Sequence, residues 1–168
     1  GIIKNHGGVI NATSQYGRGS TFHIYLPISI KRVVRELEVK GPITYGSETL
    51  LLVDDEDMIL YVGKALLEKL GYHVIPVRSG DEAINVIQCT GDEIDLVILD
   101  MVMPGMDGGK TFDRIREIRP HMPIVLSSGY AINGQADAIL KRGCNGFIQK
   151  PFDIIQLSRK VRQVLDVG

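Results

Sequence analysis

The sequence predicts an α/β domain, a doubly wound parallel sheet with helices on both faces, preceded by a small unit of one helix and one hairpin. Three observations carry this. From residue 49 onward short apolar runs of strand length recur, helix-spaced apolar residues separate them, and the runs end in charged or polar residues. Runs that are apolar throughout are strands buried on both faces, which is the condition of a parallel sheet covered by its crossover helices. The 168 residues allow one domain of about 150 with a remainder.

The remainder comes first. Residues 1–27 read as a short helical end stopped by Gly7-Gly8, followed by two strand-like runs. Val9–Ser14 and Ser20–Leu26 flank Tyr16-Gly17-Arg18-Gly19, and Pro27 closes the second run. Three elements this short bury too little apolar surface to offset their conformational entropy, so this unit is expected to be the end of something larger, and the chain to start at a cut. Residues 28–48 read as a linker, with the mixed-charge stretch Lys31–Lys40 followed by Gly41-Pro42. Ile30, Val33, Val34 and Leu37 suit one face of a helix, but their β-branched content suits an extended strand as well.

The α/β domain occupies residues 49–168. Thr49–Val53 is the first strand, and Ile59, Val62, Leu66 and Leu70 keep helical spacing up to Gly71, a helix stop. The pattern repeats as strand Tyr72–Val77 with helix Asp81–Gln88, strand Leu96–Asp100 with helix Lys110–Ile118, and strand Pro123–Ser127 with a polar helix over about 131–141. Strand Gly146–Gln149 and helix Ile154–Leu165 complete five strand–helix pairs.

Composition excludes several classes. Lys+Arg of 19 against Asp+Glu of 20 leaves a net charge of −1, so no nucleic-acid surface or polybasic membrane tail is indicated. At 44% hydrophobic and 23% charged residues, the chain resembles neither disordered nor collagen-like sequences. No apolar run approaches the ~18 residues that span a bilayer. Two cysteines, Cys89 and Cys144, lack the spacing of a disulfide framework or a zinc site, which fits a reducing cytoplasm.

In doubly wound sheets ligands bind outside the carboxyl ends of the strands. Here the first strand ends in Asp54-Asp55-Glu56-Asp57, the third in Asp100, the fourth in Ser127-Ser128-Gly129 and the fifth in Gln149-Lys150-Pro151. Carboxylates converging on one rim repel by about 4 kcal/mol per pair at 4 Å and an effective dielectric near 20, so the site calls for a cation. An oxygen-only donor set selects a hard divalent ion, and a shallow rim that leaves several waters in place favours Mg²⁺. Asp54, Asp55 and Asp100 carry −3, and Mg²⁺ with Lys150 carries +3, so a phosphoryl dianion can approach.

The runs Leu51–Glu56 and Val97–Gly108, the pair Ser128-Gly129 and Lys150-Pro151-Phe152 together resemble the receiver domain of two-component response regulators, over residues 49–166. The resemblance implies a flavodoxin-like sheet of order 2-1-3-4-5 and phosphorylation of Asp100. It further implies that Asp54, Asp55, Asp100 and the main-chain carbonyl of Val102 hold Mg²⁺. Ser128 would bind the phosphoryl group through its hydroxyl, Lys150 would pair with it, and the Lys150–Pro151 bond would be cis. Phe147 takes the place of the aromatic that changes rotamer on activation. Loose phosphoryl-transfer transition states need alignment and charge neutralisation more than a strong nucleophile, which suits a carboxylate acceptor. Two plainer readings stand beside these: Ser128 as a helix-capping hydroxyl and Phe147 as a half-buried strand residue. Val102 and Tyr130 are poorly suited to orient an attacking water, so the phospho-form is expected to decay slowly.

Ile2–Gly8, Gly17–Phe22 and Tyr25-Leu26-Pro27 resemble the final helix and hairpin of a histidine-kinase ATP-binding domain. The ATP-binding motifs of that family are absent, and His6, His23, His73 and His121 lack the surroundings of a phosphoacceptor histidine, so no kinase activity is expected of these residues alone. A kinase tail, a linker and a receiver is the order of a hybrid sensor kinase, with the parent anchored through an upstream region where it is membrane-bound. The expected partners are a phosphohistidine of the parent kinase or of a histidine phosphotransfer protein, with the last two helices and strands as a homodimer surface. With no output domain after Gly168, no DNA binding is expected. Two competing classes are a flavin or nucleotide binder of similar topology, disfavoured because the first loop is acidic rather than glycine-rich, and a receiver-fold interaction module that works without phosphorylation.

Overall fold

The computed structural model describes residues 2–28, 43–90, 93–129 and 134–167. Residues 29–42, whose sequence leaves helix or strand open around Ile30–Leu37, lie outside this range, as do Tyr130 and residues 131–133. The described residues fall into two compact units divided at Gly41/Pro42.

In the first unit, α1 (Ile2–Asn5) ends at Gly7, whose φ of 68° suits glycine. Strands β1 (Val9–Gln15) and β2 (Gly19–Tyr25) pair antiparallel, with Ile10 opposite Ile24 and Ala12 opposite Phe22. Ile10, Ala12, Phe22 and Ile24 therefore share one face of the hairpin, and all four are exposed. The helix-and-hairpin expectation is met.

In the second unit, β3 (Thr49–Val53), β4 (His73–Val77), β5 (Leu96–Asp100), β6 (Ile124–Ser128) and β7 (Gly146–Gln149) form one parallel sheet. Its order is β4-β3-β5-β6-β7, which is 2-1-3-4-5 in the sheet's own count. Pro76, which lacks an N–H, lies on the edge strand β4.

The helices divide between the two faces according to strand alternation. Leu51, Val53, Val97, Leu99, Ile124 and Leu126 pack against α3 (Gly80–Thr90), α4 (Gly108–Ile118) and α5 (Gly134–Lys141). Leu50, Leu52, Leu96, Ile98, Val125 and Ile148 pack against α2 (Asp57–Lys69) and α6 (Ile154–Leu165). Leu50, Leu51, Leu96 and Leu99 are wholly inaccessible, each contributing roughly 1.5–3 kcal/mol by burial.

Local signals set the element ends. Gly71 closes α2 with φ of 96°, and the Tyr72 N–H donates back to the Leu67 carbonyl. Asp107 caps α4 by accepting from the Lys110 N–H, and Asp153 with Gln156 forms a capping box on α6.

The end of the stretch read as linker has fixed partners. The Thr44 N–H donates to Ser158 Oγ on α6, the same hydroxyl donates to the Thr44 carbonyl, and Glu48 pairs with Arg162 at 2.6 Å. The chain is thus already bound to the sheet domain by residue 44. Among the described residues no helix is long and apolar enough to cross a membrane.

Candidate functional site

Sheet topology decides where the acids meet. After β3 the chain crosses to β4 on one side, and then to β5 on the other, so the carboxyl ends of β3 and β5 flank a crevice. Asp54 follows β3 and Asp100 ends β5. Both are buried, at 2% and 4% exposure, while Asp55 lies nearer the solvent. One carboxylate oxygen from each of the three lies within 4.8 Å of the others.

Lys150 closes the group from the end of β7. Its Nζ is 2.5 Å from Asp54 Oδ2 and 2.7 Å from Asp100 Oδ1, with the side chain 10% exposed. The remaining oxygens are also held, since Asp54 Oδ1 accepts from the Glu56 N–H at 3.1 Å and Asp100 Oδ2 from the Val102 N–H at 3.0 Å. Burial pushes the Asp100 carboxyl above its ordinary range and the Asp54 charge adds to this, against the opposing pull of Lys150 and the Val102 N–H. Burial alone would depress the Lys150 ammonium, but its hydrogen bonds and charge contacts with Asp100 and Asp54 outweigh it and push the group up.

Backbone contacts hold this arrangement. The Lys150 N–H donates to the Ser128 carbonyl at 2.7 Å, the Lys150–Pro151 bond is cis, and the Met101 N–H donates to the Ser127 carbonyl. Gly108 brings the start of α4 so close to the end of β5 that a Cβ there would lie 2.4 Å from the Asp100 carbonyl oxygen.

Of the other residues singled out from sequence, Ser128 and Val102 lie at the same rim, whereas Phe147 stands two residues before the end of β7, opposite Leu126. Ser128 is buried at the end of β6, Phe147 is half-buried against the α3–α5 core, and the Val102 side chain is 64% exposed beside Asp100. The four histidines are exposed and none belongs to the acidic group. Sequence reasoning missed Ser127, which is 2% exposed with its hydroxyl unpartnered, and the close approach at Gly108. Counting β6 residues from Val125 would have placed Ser127 on the same sheet face as Asp100.

A doubly wound sheet of this order, with a lysine bridging two of three clustered carboxylates, defines the receiver class of two-component signalling proteins. The response regulator receiver domain family matches residues 50–162, and the chain belongs to it. Sensor kinase CckA of Brucella abortus is 38% identical over 99% of this chain and 18% of its own length. Sensor protein EvgS of Escherichia coli is 30% identical over 99% of the chain and 14% of its own length. The chain thus spans less than a fifth of these relatives. Among solved structures, a receiver domain protein from Clostridium thermocellum is 30% identical with a TM-score of 0.68, covering 71% of this chain and 95% of that one.

Proposed function

We propose that Asp100 is the acceptor in a His–Asp phosphorelay and that Asp54, Asp55, Asp100 and the Val102 carbonyl hold Mg²⁺. The observation that carries this is the charge balance of the pocket: three carboxylates gathered within 4.8 Å face one lysine, leaving a net charge of −2 for a divalent ion to cancel. The oxygen-only donors suit that ion, which when bound neutralises the oxygens of the incoming phosphoryl group.

An Asp100 carboxylate oxygen attacks phosphorus, an O–P bond forms, and the P–N bond to a phosphohistidine breaks. The imidazole leaves with the bonding electron pair and takes up a proton. Lys150 and the Ser128 hydroxyl then hold the phosphoryl oxygens, and Phe147 registers the change. The exposed apolar side chain of Val102 offers no polar atom to orient a water, so the acyl phosphate decays slowly.

We further propose a hybrid sensor kinase as the parent, cytoplasmic in this part, with residues 1–27 ending its ATP-binding domain. The alignment to CckA over nearly the whole chain supports that context. The donor is the parent's phosphohistidine or a histidine phosphotransfer protein, and self-association uses the last two helices and strands, α5 and α6 with β6 and β7.

The test is incubation with Mg²⁺ and acetyl phosphate followed by intact mass. A gain of one phosphoryl group, lost in Asp100→Asn, is expected. No gain under conditions that phosphorylate another receiver would favour an interaction module that works without phosphorylation.

A further inference from the structure

Ser127 is 2% exposed and its hydroxyl has no hydrogen-bond partner. A buried, unpaired hydroxyl destabilises the state that contains it, and an alanine or valine would fill the same position without that penalty. The question is which state of the pocket satisfies it.

Register fixes where Ser127 stands. It is the β6 partner of Asp100, and alternation from Val125 puts it on the α2/α6 face, where Leu96 and Ile98 place Asp100. Lys150, two residues beyond Ile148, leaves β7 on that face. Its ammonium nevertheless sits on Asp100 of β5 and on Asp54 beyond β3. Because β6 lies between β7 and β5, the lysine side chain crosses the carboxyl end of β6, and the residue β6 presents there is Ser127.

An ammonium has three N–H donors, and the two carboxylates occupy two of them. Phosphorylation turns the Asp100 carboxylate into a mixed anhydride and removes the charge of that carboxyl, and a divalent ion on Asp54 competes for the other. The phosphoryl group supplies one replacement acceptor, and a second is needed to fix the direction of the ammonium. We propose that Ser127 is a positioning residue of the phosphorylated state, its hydroxyl accepting a hydrogen bond from the Lys150 ammonium and holding it over the phosphoryl group. This rests on Asp100 being the acceptor.

The experiment compares wild type, Ser127→Ala and Ser127→Thr by thermal melting without additives and by titration with beryllium fluoride in Mg²⁺, which mimics the acyl phosphate without turnover. Ser127→Ala is expected to melt at or above the wild-type temperature, because it removes an unpaired buried hydroxyl. It is also expected to bind beryllium fluoride about tenfold more weakly, a loss of about 1.4 kcal/mol. Ser127→Thr, which restores the hydroxyl, should recover most of that affinity. Wild-type affinity in Ser127→Ala overturns the proposal, as does a lowered melting temperature with unchanged affinity, which would make the hydroxyl structural. A wild-type protein that neither binds beryllium fluoride nor accepts phosphoryl from acetyl phosphate would overturn the Asp100 reading itself. Wild-type binding with an indifferent Ser127→Ala removes only the present inference.

Discussion

Replacing Lys150 by methionine tests whether the pocket is held together by charge. The substitution keeps the unbranched apolar stem, one atom shorter, and removes the ammonium that bridges Asp54 and Asp100, leaving two carboxylates at 2% and 4% exposure without their cation. Breaking a buried ion pair by deleting one partner typically costs about 3–5 kcal/mol, because the other charge stays buried and uncompensated. For a domain of about 120 residues this lowers Tm by on the order of 10–20 °C.

Two conditions should restore stability. On the proposed reading Mg²⁺ binds the folded pocket and not the unfolded chain, so it should raise Tm more in Lys150→Met than in wild type, where it competes with the ammonium for Asp54. Acid should act in the same direction. Burial already raises Asp100, so folding favours its protonated form, and its contribution to stability is lost as pH rises through the folded value. Without Lys150 that rise is larger, so the deficit is greatest near neutral pH and shrinks toward about pH 5. Lys150 is itself raised, and its contribution is lost only above the ordinary lysine range, outside this window. Melting curves with and without Mg²⁺ at the two pH values decide. An unchanged Tm, or a deficit indifferent to both Mg²⁺ and pH, would refute the charge argument.

Two further outcomes follow from the acceptor loop. Val102→Asn places a polar group beside the proposed acyl phosphate and should shorten its lifetime by about an order of magnitude, measured as mass loss after donor removal; a wild-type lifetime of only seconds would contradict the reading of Val102. In Gly108→Ala the new Cβ would meet Asp100 O at 2.4 Å and Met101 Cα at 2.7 Å, both backbone atoms. The acceptor loop must shift, costing about 1–3 kcal/mol and weakening Mg²⁺ binding by calorimetry, whereas unchanged Tm and affinity would show that the loop yields freely.

The apolar runs made the sheet legible because strands buried on both faces leave no alternation to misread, and β5 is buried along its whole length. Asp54, Asp100 and Lys150 were legible for a related reason, since a charged residue ending such a run can only lie at the sheet's carboxyl edge. Glycines were legible where they stop helices, as at Gly71, but not where two segments approach closely, as at Gly108, because that depends on a neighbour distant in sequence until the fold is formed. Thr44 looks like linker in the sequence for the same reason: its partner Ser158 lies on the last helix. Ser127 does not stand out in the sequence because its neighbour Ser128 already supplies a hydroxyl, although strand parity separates the two.

That parity gives the site its working logic. Alternation from Ile98 and Val125 turns Asp100 and Ser127 toward α2 and α6, whereas alternation from Ile124 and Leu126 turns Ser128 toward α3–α5, where Phe147 also packs. On the proposed reading, the groups that neutralise the acceptor and the groups that register its modification lie on opposite faces of one sheet and meet only at the strand ends. A phosphoryl group on Asp100 sits at that meeting point, engaging Lys150 from one face and Ser128 from the other. Substitutions on the α2/α6 face should then alter how readily Asp100 is modified and how long the modification lasts. Substitutions at Ser128 and Phe147 should alter what the modification does to α5 while leaving the acceptor chemically competent.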